Sequence, residues 1–295
     1  MKNKLFFAVL TVLLLVGCQV EQEKYEVMRI EVVGETPETT QMAVSQVQEP
    51  SCAQPTAENA AACQAMEAQI LATTVRLELR RWDENEAGGR GEYVDGGICH
   101  ATVMDGRYLV THNHFSIPLQ VLQQGADGQQ VRLSVYDLDN RPILKDLPLT
   151  AFDVMLVGPQ TLLLDFQEYG GQGLLTMLGL PSASFADLSD LALQPGREVA
   201  QIDWDGTHTQ VDWVRVEAVV NENGALSLQL ANGLTQGASG GGVFWQGVHI
   251  ANNWTSNYVR DKETGDLLGQ YSVAALNELP ALAVGAGNGT APANG

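Results

Sequence analysis

Apolar and polar residues alternate with a period close to two along most of this chain. The pattern is clearest in Val75-Arg76-Leu77-Glu78-Leu79, in Val131-Arg132-Leu133-Ser134-Val135 and in Val211-Asp212-Trp213-Val214-Arg215-Val216. Each reads as a strand with one buried face, and turn residues such as Asp139-Asn140 and Asp205-Gly206 lie nearby. No comparable helical periodicity interrupts residues 73–280, so many short strands predict an all-β sandwich or barrels. Gly179 to Gly196 is less regular, carries Pro181 and Pro195, and divides the region into halves of similar length, 73–180 and 181–280. Outside it, Ala57 to Ile70 is Ala-rich with Glu and Gln and predicts one helix beside the domain. Residues 281–295 are rich in Gly, Ala, Asn and Pro and predict a disordered tail.

The first residues follow a different pattern. Lys2 and Lys4 precede an apolar run of 12 residues, Leu5 to Val16, broken only by Thr11. Such a run suits a signal peptide and is short for a membrane span. It ends in Leu15-Val16-Gly17-Cys18, which resembles a bacterial lipobox. This predicts a signal peptide at 1–17, lipidation of Cys18 and a location outside the cytoplasm, anchored to the cell membrane. Residues 18–72 then hold a tether, polar to about Pro55, and the short helix. Lys2 and Lys4 leave with the signal peptide and no acid does, so the net charge of −19 becomes −21. A chain this acidic repels phosphate backbones, which argues against nucleic-acid binding.

With Cys18 lipidated, Cys52, Cys63 and Cys99 remain. A Cys52–Cys63 bridge would close a short loop in an oxidising compartment. There is no C-x-x-C pair, which argues against a cysteine zinc site.

The chemistry concentrates in two places. Gln236-Gly237-Ala238-Ser239-Gly240-Gly241-Gly242 puts a serine on a glycine-rich turn. Nucleophilic serine chemistry needs an exposed hydroxyl with backbone N–H groups aimed at the developing oxyanion, and glycines permit that close approach. Upstream, Gly106-Arg107-Tyr108-Leu109-Val110-Thr111-His112-Asn113-His114 places a histidine just past a predicted buried strand.

Together these motifs resemble those of the trypsin-like (chymotrypsin-fold) serine peptidases. Thr111-His112-Asn113-His114 looks like the family's T-A-A-H, and Cys99 to Met104 looks like the strand before it. Gly237-Ala238-Ser239-Gly240-Gly241 looks like G-[DN]-S-G-G, with Leu226 to Leu230 leading into it. Leu193-Gln194-Pro195-Gly196-Arg197-Glu198-Val199 resembles L-x-P-G-x-x-V of bacterial members. The resemblance covers roughly residues 73–275. It implies two antiparallel six-stranded β-barrels, Ser239 as nucleophile, His114 as general base and an oxyanion hole from the N–H groups of Gly237 and Ser239. It further implies a protein or peptide substrate and no metal or organic cofactor.

For the acid, the family's D-[IV]-A-L-L strand start is matched by Asp153-Val154-Met155-Leu156. The run Gln160-Thr161-Leu162-Leu163-Leu164-Asp165 can be laid on the same strand, which offers Asp165 instead or puts Gln160 at the acid's place. A triad oriented by an amide is the third possibility. Ala238 departs from the acid or amide that usually precedes the serine, and Phe115 takes the place of the partner that Cys99 has in many animal members. Gly233, six residues before Ser239, supplies no carboxylate to select Lys or Arg. Two rival readings are a binding lipoprotein with an impaired triad and a metal site using His112 and His114.

Overall fold

The computed structural model describes residues 51–83, 92–113, 131–157, 160–184, 194–222, 225–260, 264 and 266–276. The expected signal peptide at 1–17, Cys18, the expected tether up to residue 50, His114 and the expected tail at 281–295 lie outside the described residues.

The first element among the described residues is the expected Ala-rich helix, α1, Ala60–Ala72. Among the described residues nine strands follow: β1 Thr74–Asp83, β2 Glu92–Met104, β3 Tyr108–His112, β4 Val131–Tyr136, β5 Pro142–Pro148, β6 Asp153–Leu156, β7 Thr161–Asp165, β8 Glu168–Tyr169 and β9 Gln172–Gly173. A single helical turn, α2 Leu174–Met177, ends this half. The second half has β10 Glu198–Trp204, β11 Thr209–Glu222, β12 Ala225–Leu230, β13 Gly242–Trp245, β14 Val248–Arg260 and β15 Leu267–Leu276.

The all-β expectation holds. The second half closes into a six-stranded antiparallel barrel in the order β10-β11-β12-β15-β14-β13. The first half is a seven-stranded sheet, order β5-β4-β1-β2-β3-β7-β6, curled as a half-barrel rather than closed. Its alternation becomes burial: Val75, Leu77 and Leu79 are at most 3% exposed and join Cys99, Leu133, Leu162 and Phe166 in one core. The barrel has its own core of Val199, Val214, Val216, Leu228, Leu230, Val243 and Ile250.

A third cluster joins the halves. Ile70 of α1 packs with Met104, Val110 and Leu163 of the sheet and with Ala200, Ile202 and Phe244 of the barrel. The helix is thus part of the joint, and Trp213 Nε1 of β11 donates to Glu67 Oε1 at 2.7 Å. The expected flexible tether ends earlier than Pro55. Ser51 Oγ donates to Glu198 Oε2 at 2.7 Å, and the Cys52 and Ala53 N–H groups donate to Glu198 Oε1 at 2.6 and 3.2 Å. The Cys52–Cys63 bridge is formed and ties this segment to α1.

Candidate active site

Ser239 sits on the connection from β12 to β13. Gly237 has φ +104° and Gly240 φ +78°, conformations that a side chain disfavours. The turn is held from within by Ala238 N–H to Thr235 O (3.1 Å) and Gly241 N–H to Ala238 O (3.1 Å). It is held from β14 by Gly240 N–H to Asn253 O (2.9 Å) and Asn253 N–H to Gly241 O (2.8 Å). The Asn253 side chain, fully buried, donates to Ile202 O at 2.6 Å and to Ala238 O at 3.3 Å. Gln201 Nε2 in turn donates to Asn253 Oδ1 at 2.9 Å.

The turn presses directly on the end of β3. A methyl group on Gly240 would land 2.2 Å from Thr111 Oγ1, 2.3 Å from His100 O and 2.9 Å from His112 Cδ2. This glycine is required by space as well as by φ. Ser239 is therefore seated beside the two residues that lead, through Asn113, to His114. Ser239 itself is half-buried, and its hydroxyl makes no hydrogen bond among the described residues. Neither do the N–H groups of Gly237 and Ser239. The Ala238 carbonyl is occupied by Gly241 N–H and Asn253 Nδ2. A trans peptide sets its N–H opposite its C=O, so the Ser239 N–H points away from that partner pair.

The two candidate carboxylates lie at the other end of the sheet. β3 pairs antiparallel with β7, Tyr108 opposite Asp165 and His112 opposite Thr161. β6 pairs antiparallel with β7, Asp153 opposite Asp165. Four residues separate Tyr108 from His112, about 13 Å of extended chain. The sheet therefore does not bring Asp153 or Asp165 to the end of β3 on which the serine turn rests. Asp153 is exposed and accepts from Gln167 Nε2 at 3.2 Å. Asp165 is 7% exposed and accepts a fork from Arg107, Nε to Oδ1 and NH2 to Oδ2, both 2.6 Å. The residue at the His112 end is Gln160, whose carbonyl accepts from Asn113 N–H at 3.1 Å.

The surroundings of Gly233 are filled by a residue that the sequence did not single out. A methyl group there would meet Gln270 Cδ at 2.5 Å. The next residue donates its N–H to Ser256 Oγ at 3.1 Å. Beside it the buried Asp203 accepts Thr235 N–H at 3.1 Å and Thr235 Oγ1–H at 3.3 Å.

The other histidines divide. His208 is exposed beside Asp205. His249 is buried, its Nε2 2.8 Å from Asn252 Oδ1, and loss of hydration lowers its pKa to about 4. His100 is also buried, with its pKa lowered to about 4 by loss of hydration and only partly restored by the Gly237 carbonyl. Cys99 is buried and outside any disulfide among the described residues, its Sγ 3.6 Å from Thr111 Oγ1. Among the described residues no three His, Cys, Asp or Glu side chains cluster as a metal site would require, and no helix is long and apolar enough to cross a membrane.

No known protein-family signature matches the chain, and no curated protein is similar to it.

Proposed function

We propose that the protein is an exported, lipid-anchored serine endopeptidase of the trypsin-like type. One observation carries the reading: Ser239, whose hydroxyl and two turn N–H groups make no hydrogen bond among the described residues, rests on the end of β3 that leads into His114. The closed barrel and the curled sheet are compatible with that fold.

In this reading Ser239 Oγ attacks the substrate carbonyl as His114 takes its proton, and the C=O oxygen gathers negative charge between the Gly237 and Ser239 N–H groups. His114 returns the proton to the leaving amine. Water then cleaves the acyl-enzyme by the same route, and no metal or organic cofactor takes part. In this reading the acid's role falls to Gln160, whose backbone carbonyl accepts from Asn113 N–H, as an amide that orients the His114 ring. An amide fixes the tautomer but stabilises the imidazolium less than a carboxylate does, which predicts slow turnover.

The distance of Asp153 and Asp165 from this end supports a second reading, a binding lipoprotein that retains the fold with a weakened site. Hydrolysis of a peptide library separates the two. The endopeptidase reading expects internal cleavage that disappears in Ser239→Ala and in His114→Ala. Absence of cleavage by the parent, or its survival in Ser239→Ala, counts for the binding reading.

A further inference from the structure

His100 lies on β2 opposite Arg76 of β1, and the serine turn of the barrel closes over it. Its side chain is 1% exposed, yet three hydrogen bonds leave it for the other half of the molecule. The backbone N–H donates to Ser239 O at 2.9 Å. Nδ1 lies 2.8 Å from Gly237 O, and Nε2 lies 2.8 Å from Thr209 Oγ1. A carbonyl can only accept, so Nδ1 carries the proton. Burial keeps the ring neutral, with its pKa near 4, so Nε2 offers a lone pair to the Thr209 hydroxyl. The two partners fix one tautomer.

The carbonyls that His100 holds, those of Gly237 and Ser239, flank Ala238. The Ala238 carbonyl is held from elsewhere, by Gly241 N–H and Asn253 Nδ2. Three consecutive peptide planes are thereby set, and with them the direction of the Ser239 N–H. Trp204 closes the outer side: a methyl group on Gly237 would meet its Cδ1 at 3.1 Å, and its ring centroid is 6.0 Å from that of His100. A histidine that merely filled space would not need both ring nitrogens bonded across the joint.

We propose that His100 is a positioning residue for the serine turn, its Nδ1–H to Gly237 carbonyl bond and its backbone N–H to Ser239 carbonyl bond fixing the two peptide planes that flank the one carrying the Ser239 N–H. This rests on the serine-hydrolase reading. The residue touches no reacting atom and acts through Gly237 and Ser239 alone.

The test is the rate at which a fluorophosphonate acylates Ser239 in the full chain, resolved into reagent affinity and maximal rate, with a thermal melt of every variant. His100→Gln places its amide near the Nε2 position and loses the bond to Gly237. His100→Asn places an amide nitrogen near Nδ1 and can remake it. The expected result is a maximal rate down ~10²-fold in His100→Gln at unchanged affinity, the scale of a lost oxyanion donor. His100→Asn should recover most of that loss. Should His100→Gln not fold, Thr209→Val carries the test, since it removes the bond that anchors the far side of the ring and should also slow acylation. Equal rates in the parent and the folded variants overturn the assignment, as does an equal loss in Asn and Gln. A parent that does not label at all overturns the hydrolase reading, and this one with it.

Discussion

At the scale of single residues, the site combines groups that local motifs reveal with groups that they conceal. Ser239 is legible because its glycines are contiguous with it, and the space around Gly240 shows why alanine is not tolerated there. His100 reads as an ordinary histidine because its ring partners, Thr209 and Gly237, are 109 and 137 residues away. Two buried rings, His100 and His249, also set a pH dependence. In the unfolded chain each takes a proton near pH 6.5, whereas burial delays that in the fold to about pH 4. The stability that they contribute is full above pH 6.5 and is lost as pH falls towards 4. Urea unfolding between pH 6.5 and 5 should show a slope of about 1 kcal/mol per pH unit for each ring. His249→Leu should reduce that slope by about half, and an unchanged slope would exclude His249 as its source. Asp165 behaves as a structural acid. Asp165→Asn should cost about 2 kcal/mol, as a hydrogen bond to a charged partner does, and lower the melting temperature. Its rate of Ser239 acylation should stay close to the parent's.

At the scale of elements, strand register decides what spacing alone does not. Asp153-Val154-Met155-Leu156 and Thr161-Leu162-Leu163-Leu164-Asp165 are both short apolar runs with an acid at one end, so either fits the same family strand. The sheet distinguishes them: β7 is buried along its whole length between β3 and β6, while β6 is an edge strand with exposed ends. That order carries Asp153 to the far end and leaves Gln160 at the near one. Gln160→Asp should therefore raise the acylation rate of Ser239, and Asp153→Asn should leave it within about threefold of the parent; a ~10⁴-fold loss in Asp153→Asn, the cost of a wrong tautomer, would restore that residue to the triad. The N-terminal segment shows the same dependence on distant partners. Its polarity predicts a tether to about Pro55, but Glu198 of β10 and the Cys52–Cys63 bridge capture it from Ser51 onwards. Limited proteolysis should spare residues 51–72 in the oxidised protein and reach them after reduction. Early cleavage between Ser51 and Pro55 with the bridge intact would contradict this.

At the scale of the whole molecule, period-two patterning was enough to give the all-β class, because each strand alternates between one core and solvent, whereas the six-stranded barrel of the second half was expected only from the resemblance of the motifs. It did not give the open, seven-stranded form of the first half, since closure depends on which edges pair and no edge is marked by its own residues. Nor did it show that α1 belongs to the joint, where Ile70 meets both halves. That joint sets the serine turn against β3, and in the proposed function it leaves Ser239 poised as a nucleophile. The most direct measurement is the intact mass of the full chain after treatment with a fluorophosphonate. One adduct is expected, located on Ser239, missing from Ser239→Ala and strongly reduced in His114→Ala. A parent that gains no mass, or an adduct that persists in Ser239→Ala, would contradict the proposed function.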